Sequence, residues 1–146
     1  IHQPLHASDH EDSGGNGVRV AFALPSGETM KSDLHSAWDT DFVKLAFDTT
    51  DERQIAKQLV DGASAEQLKE WQKGGAAAWL AQSYEVAGQT TYGLLPGFNN
   101  CQNPDFDAKR LTLDQGYVVQ AKALIPEQLL KAGARIAYLL NRAFAQ

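Results

Sequence analysis

The chain has 146 residues, of which 43% are hydrophobic and 21% charged, a size that suits one globular domain and leaves little room for two. The hydrophobic share excludes an intrinsically disordered chain, and no apolar run reaches the roughly 18 residues that a membrane span requires. Its 13 Lys and Arg against 18 Asp and Glu give a net charge of −5, which argues against a basic DNA-binding module.

The start of the chain indicates a piece of a larger protein. Residue 1 is an isoleucine rather than an initiator methionine, and neither the basic nor the apolar segment of a secretory signal follows it. We therefore expect residues 1–146 to form a single domain that is the C-terminal part of a larger one, incomplete at its N-terminal side.

The first predicted elements are a loop and a hairpin. Residues 7–17 combine acidic side chains with glycines, which predicts a polar loop after the end of a preceding element. Residues 18–24 alternate as a short strand, and the turn at 25–28 leads to a return strand that ends near Lys31. A small β-hairpin is the expected result.

Helical periodicity dominates the remainder of the chain. The helices are predicted at 33–47 (capped by Ser32 or Asp33), 49–60 (a Thr49/Glu52 capping box, ended by Gly62), 64–71 (starting at Ser64), 76–92, 113–124 and a last segment that Ile125 and Pro126 open or kink. Residues 94–107 are predicted to be an irregular loop, and it contains the single cysteine, Cys101, which excludes an intrachain disulfide framework. The fold class is therefore all-α with a small β-hairpin.

Apolar spacing also predicts which helix faces are buried. For the helix at 76–92 the expected packing residues are Trp79, Leu80, Tyr84 and Ala87. In the last helix, apolar residues recur at helical spacing: Leu129, Ala132, Ile136, Leu139, Leu140 and Ala143. Trp38 is expected to pack in the core rather than to stack on a base.

Histidines near the start of the chain suggest a metal site. His35 and Asp39 are four residues apart, so both project from one face of the predicted helix. With His6 as a third ligand they could hold zinc at about 2.0–2.2 Å and leave one coordination position open, as a catalytic metal requires. Taken alone, the His-x-x-x-Asp pattern on a helix is a weak signal for metal binding, because most such pairs are solvated. His2 is expected to have a structural role rather than to bind metal.

Three motifs, taken in order, resemble one known family. They are Gln3-Pro4-Leu5-His6, Gly14-Gly15-Asn16 and Leu34-His35-Ser36-Ala37-Trp38-Asp39. The zinc-dependent single-strand-specific nucleases, which include the mould nucleases S-one and P-one and plant bifunctional nucleases, carry similar motifs at nearly this spacing. The far end, residues 132–141, resembles the closing helix of that family, so the resemblance spans nearly the whole chain.

The resemblance implies a phospholipase C/nuclease-like helical fold around three zinc ions. It implies that His6, His35 and Asp39 hold one zinc, and that the other two ions take ligands from an upstream part of the family's sequence. In this chain the implied catalytic groups are those metal ligands alone. Gly15, through close approach, and Asn16, through polar contacts to the base, are the implied substrate-binding residues.

The implied reaction is hydrolysis of phosphodiesters in single-stranded DNA or RNA to 5′-phosphates, in many members with 3′-nucleotidase activity. The implied partners are single-stranded nucleic acid or nucleotides and, as a separate chain, the N-terminal part of the same protein. The implied location is secreted or periplasmic.

Two alternatives stay open at this point. Zinc phospholipase C has a similar fold and zinc cluster, although that family has Glu where this chain has Asp39 and lacks the Gly-Gly-Asn loop here. The other alternative is a non-catalytic helical fragment stabilised by zinc, which would show metal-dependent folding without turnover.

Overall fold

The structure is a computed structural model that describes residues 1–98 and 109–145. Most of the predicted loop at 94–107, including Cys101, lies outside the described residues. Within the described ranges, no helix combines the length and the apolar character needed to cross a membrane.

A short sheet lies in the N-terminal part of the chain. It follows a 3₁₀ helix at Pro4–Ala7 and a loop. Strands β1 (Arg19–Ala23) and β2 (Thr29–Asp33) pair antiparallel, as the hairpin prediction required. A two-residue strand, β3 (Leu111–Thr112), pairs parallel with β1 and gives the order β2-β1-β3. This third strand was not predicted, because two residues are too few to show a period-2 pattern.

Helices make up most of the described chain, which confirms the mostly helical fold class. Their bounds are α1 (Leu34–Ser36), a π-helical turn (Ala37–Asp41), α2 (Phe42–Ala46), α3 (Glu52–Asp61), α4 (Ala65–Trp71), α5 (Ala76–Val86), a second π-helical turn (Ala87–Thr91) and α6 (Gln115–Phe144). Each π-helical turn directly follows a helix, so the chain from 34 to 46 winds without a break, as does the chain from 76 to 91.

Most helix starts follow the predicted capping residues. Asp33 caps α1, and Ser64 caps α4 in a capping box with Gln67. The predicted capping residue of α3 is wrong, because Asp51 accepts the backbone N–H groups of the first turn while the Thr49 hydroxyl accepts from the Asp51 backbone. An aspartate at the N-cap also complements the positive end of the helix dipole, which threonine cannot do.

The core lies between the sheet, the helical segment at 34–46 and the first half of α6. The indole Nε1 of Trp38 donates to the Tyr117 hydroxyl at 2.9 Å, and that hydroxyl donates to the Thr91 carbonyl at 2.7 Å. Burial raises the pKa of Tyr117, so its hydroxyl stays a donor. Trp38 is 2% exposed, which confirms that it is a core residue.

Ile125 and Pro126 do not open a new helix, because α6 runs through both residues as one helix; a kink at Pro126 stays a prediction. A proline inside a helix removes only one donor and disturbs the preceding turn. The hydrogen bonds on either side and the burial of Ile125 in the core are sufficient to carry the helix past it.

The predicted packing faces are only partly correct. On α5, Trp79 is buried, whereas Leu80 and Tyr84 are 45% and 58% exposed and the small polar Ser83 is buried instead. On α6, four of the residues that recur at helical spacing are between 42% and 57% exposed: Leu129, Ile136, Leu139 and Leu140. Periodicity identifies an apolar stripe but cannot say whether another element covers it.

Candidate metal centre

Three neighbouring elements bring the predicted ligands together. His6 lies on the 3₁₀ helix, His35 in α1 and Asp39 in the π-helical turn that follows α1. One ligand atom from each lies within 4.8 Å of the other two, the one such group of three among the residues that the structure describes. Widened helical turns of this kind occur frequently at functional sites.

The distances within this triad suit one tetrahedral metal ion. His6 Nε2 lies 3.2 Å from His35 Nε2, and His35 Nε2 lies 3.5 Å from Asp39 Oδ2. The remaining pair, His6 Nε2 and Asp39 Oδ1, is separated by 3.8 Å. Two ligands of a tetrahedral zinc with bonds of about 2.0–2.1 Å are separated by roughly 3.3–3.4 Å. Because the two spacings to Asp39 involve different carboxylate oxygens, a rotation of that carboxylate and shifts of a few tenths of an ångström would let one of its oxygens join both imidazoles around zinc.

The triad is open to solvent on one side. The side chains of His6 and Asp39 are 50% and 42% exposed, whereas that of His35 is 19% exposed. Three ligands with an accessible face leave room for a further ligand, the arrangement that catalytic zinc sites share.

A backbone carbonyl sets the tautomer of His35. Its Nδ1 lies 2.7 Å from the carbonyl oxygen of Gly14, which can only accept, so Nδ1 carries the proton. The Nε2 lone pair is then directed at the other two ligands. A ligand histidine whose second nitrogen donates to a carbonyl is the usual arrangement in metal sites.

The glycine loop packs against the ligand-bearing elements. Gly14 and Gly15 both have positive φ, +63° and +88°, and an added Cβ would lie 3.0 Å from the Leu5 carbonyl and 3.1 Å from Leu5 Cδ1, respectively. The Gly15 carbonyl also accepts the backbone N–H of His35 at 3.3 Å. Gly15 thus lies close to Leu5 and to the backbone of His35. Asn16 is exposed, and its Nδ2 donates to the Ser13 carbonyl at 2.7 Å; a role of either residue in substrate binding stays a prediction.

Two acidic side chains of this loop accept hydrogen bonds from its backbone, and one of them also accepts from Tyr92. Asp9 Oδ1 accepts the backbone N–H groups of Gly14 and Asp12, which lowers the pKa of Asp9. Asp12 Oδ1 accepts from the Gly15 backbone and from the Tyr92 hydroxyl, both at 2.9 Å. The two carboxylates therefore hold the glycines in place beneath His35.

His2 does not belong to the triad, in agreement with its predicted structural role. Its Nε2 lies 2.8 Å from Nη1 of the buried Arg135 on α6, so the imidazole accepts and is neutral. Burial first, then the charge of Arg135 and also that of Lys131, lower the pKa of His2 to about 4.

We expect this histidine to make the fold sensitive to acid. In the unfolded chain His2 binds a proton near its ordinary pKa of 6.5, whereas the folded chain resists protonation until about pH 4. The free energy of unfolding should therefore be independent of His2 above pH 6.5 and should decrease as the pH falls from 6.5 to 4. Urea denaturation across this range measures the decrease, and the His2→Asn variant should show less of it. Equal pH dependence in both proteins would contradict the expectation.

Comparison with known proteins assigns this sequence to a family. The family model described as S1/P1 Nuclease matches residues 1–145. The chain belongs to the S1/P1 nuclease family. The motifs that carry the triad and the glycine loop all lie within the matched region, and the resemblance drawn from them is confirmed.

Three endonucleases of Arabidopsis thaliana are similar to this S1/P1 nuclease family chain. Endonuclease 2 is 27% identical and Endonuclease 4 is 25% identical, and the alignments cover 99% of this chain and 48% and 47% of those proteins. Endonuclease 1 is 22% identical, with 99% and 46% covered. The chain spans about half the length of these curated relatives.

Sequence reasoning missed two residues that support the triad in this S1/P1 nuclease chain. One is Gly14, whose carbonyl orients His35, and the other is Gln3, whose amide Nε2 donates to Asp39 Oδ1 at 2.9 Å. Gln3 stands inside the first of the quoted motifs, so the signal was present. What it touches could not be read from spacing, because Asp39 is 36 residues away.

Proposed function

We propose that this chain is the zinc-binding C-terminal part of a nuclease that hydrolyses phosphodiesters of single-stranded DNA or RNA to 5′-phosphates, with 3′-nucleotidase activity alongside. One observation carries the proposal. The ligand atoms of His6, His35 and Asp39 converge with spacings that suit zinc, on motifs within a family match over residues 1–145. If the same three side chains did not converge, they would be ordinary solvated residues on the protein surface.

The chemistry of the triad suits the hydrolysis of phosphodiesters. A zinc ion held here would supply positive charge to phosphate oxygens and to the charge developing on the leaving 3′-oxygen. The chain has a net charge of −5 and so provides no general excess of basic side chains for that purpose. His35 is held by the Gly14 carbonyl in the tautomer that presents Nε2, and the exposed sides of His6 and Asp39 leave space for a phosphate.

We propose the preference for single strands because a base must leave its stack before it can enter a pocket beside the metal. A base stacked in a duplex is covered on both faces, so a pocket beside the metal requires an unstacked nucleotide. Gly15 and Asn16 lie in the loop that contacts His35, and we propose them as part of that pocket. We also propose that the complete protein acts in a secreted or periplasmic location, and that any separate N-terminal part of it is a partner of this chain.

Native mass spectrometry followed by activity assays tests the proposal. The first measurement counts zinc ions and polypeptides in the purified material. An assembly with three zinc ions is expected to cleave a single-stranded oligonucleotide faster than the duplex of the same sequence, leaving 5′-phosphates. A chelator should abolish the activity and added zinc should restore it.

Other outcomes would contradict the nuclease proposal. Release of a phospholipid headgroup without oligonucleotide cleavage would favour the phospholipase C alternative. A lone chain that binds one zinc, becomes more stable and shows no turnover would favour the zinc-stabilised fragment, the alternative consistent with a single triad among the described residues.

A further inference from the structure

Gln3 links the two elements that carry the exposed ligands. Its side-chain oxygen accepts the backbone N–H of Leu5 and so caps the 3₁₀ helix that carries His6. Its backbone carbonyl accepts the backbone N–H of His6 at 3.0 Å. Because the Leu5 N–H requires an acceptor, the amide must point its Oε1 inward and its Nε2 toward the carboxylate of Asp39.

The contact with Gln3 gives the two carboxylate oxygens of Asp39 different partners. Gln3 Nε2 lies 2.9 Å from Oδ1, whereas His35 Nε2 lies 3.5 Å from Oδ2. An amide donor on Oδ1 occupies that oxygen and limits rotation of the carboxylate. Although Oδ1 also lies 3.8 Å from His6 Nε2, it already accepts from Gln3, so Oδ2, 3.5 Å from His35 Nε2, is the oxygen better placed to face a metal ion.

We propose that Gln3 is a positioning residue of the metal centre, which ties the His6 turn to Asp39 and makes Asp39 a ligand through Oδ2 alone. The inference deepens the proposed zinc site and rests on it. It assigns to Gln3 a function in metal affinity and coordination geometry that is distinct from capping the 3₁₀ helix.

Two substitutions separate the cap from the contact with Asp39. Gln3→Leu removes both interactions. Gln3→Ser keeps an oxygen that can cap the helix, since serine is a favoured N-cap residue, but is too short to reach Asp39. Gln115→Ser is the matched control, because the Gln115 amide also donates to an oxygen, the Ala23 carbonyl at 3.3 Å, on a different part of the surface.

The measurements are the affinity for Zn²⁺ against a chromophoric competitor and the visible spectrum of the Co²⁺-loaded chain, with circular dichroism as the test of folding. Both Gln3 variants are expected to bind zinc about 10- to 100-fold more weakly, the usual effect of losing a partner of a metal ligand. Their Co²⁺ absorption should also become weaker, because a carboxylate freed at Oδ1 can bind through both oxygens and raise the coordination number above four. Gln115→Ser should match the parent chain in both respects.

The outcomes distinguish the inference from the function on which it rests. A folded Gln3→Ser variant with the zinc affinity and Co²⁺ spectrum of the parent would overturn the role of Gln3 while leaving the zinc site in place. A parent chain that binds no zinc would overturn the site itself and the inference with it. If Gln3→Leu fails to fold, Gln3→Ser decides the matter.

Discussion

Replacing His35 with alanine is expected to remove zinc from this chain and to reduce the turnover of the complete nuclease sharply. His35 is the least exposed of the three proposed ligands, and the Gly14 carbonyl at 2.7 Å from its Nδ1 fixes its tautomer. Losing an outer partner of a metal ligand typically costs about 10- to 100-fold in affinity, and losing the ligand itself should cost more. Zinc counted by native mass spectrometry and hydrolysis of a single-stranded oligonucleotide are the measurements.

The His35→Ala protein should still fold. Neighbouring Leu34 is fully buried, and Asp33 continues to cap the helix, so the local structure does not depend on the imidazole. His10→Ala is the matched control, since His10 lies in the adjacent loop but outside the triad, against the rings of Tyr92 and Phe98. Undiminished zinc and turnover in His35→Ala, with circular dichroism unchanged, would overturn the assignment of the site.

Replacing Arg135 with alanine is expected to have the largest effect on stability. The side chain is 3% exposed, and its guanidinium donates to the Trp71 carbonyl at 2.9 Å, to His2 and to the Gln82 side chain. It also lies over the Trp79 ring, 5.1 Å from the centroid. One residue of α6 therefore joins α4, α5 and the start of the chain.

We expect Arg135→Ala to lower the free energy of unfolding by about 2–4 kcal/mol, because the deletion removes hydrogen bonds to the half-buried Trp71 and His2, removes the contact with the Trp79 ring and opens a cavity where the buried Arg135 side chain lay. That is a large share of the free energy of unfolding of a typical domain, which is roughly 5–15 kcal/mol. Arg142→Ala is the control on the same helix, since Arg142 is exposed and its Nη1 donates to the Tyr138 hydroxyl at 3.2 Å, one turn away on α6. Urea denaturation of both variants measures the difference, and equal midpoints would show that the Arg135 network does not stabilise the fold.

Local features of this chain could be predicted because their physical causes are local. Asp33 and Ser64 cap helices through atoms a few residues away, and the hairpin follows from alternation along β1. The same holds for half of the metal site, because four residues on one helix place His35 and Asp39 on one face. The one capping residue that was predicted wrongly, Thr49, also lies at this scale, since Asp51, two residues later, caps α3 instead.

The sequence by itself thus determined the family motifs, the helical class and the His35–Asp39 pair, because each depends on contacts within one or two turns of chain. Only the tertiary structure decided that Gln3 reaches Asp39, that Gly14 orients His35 and that Arg135 meets His2 across 133 residues. It also decided that Leu139 and Leu140 are exposed although their spacing resembles that of core residues. Periodicity records which side chains share a face, whereas the partner of that face depends on how distant segments pack.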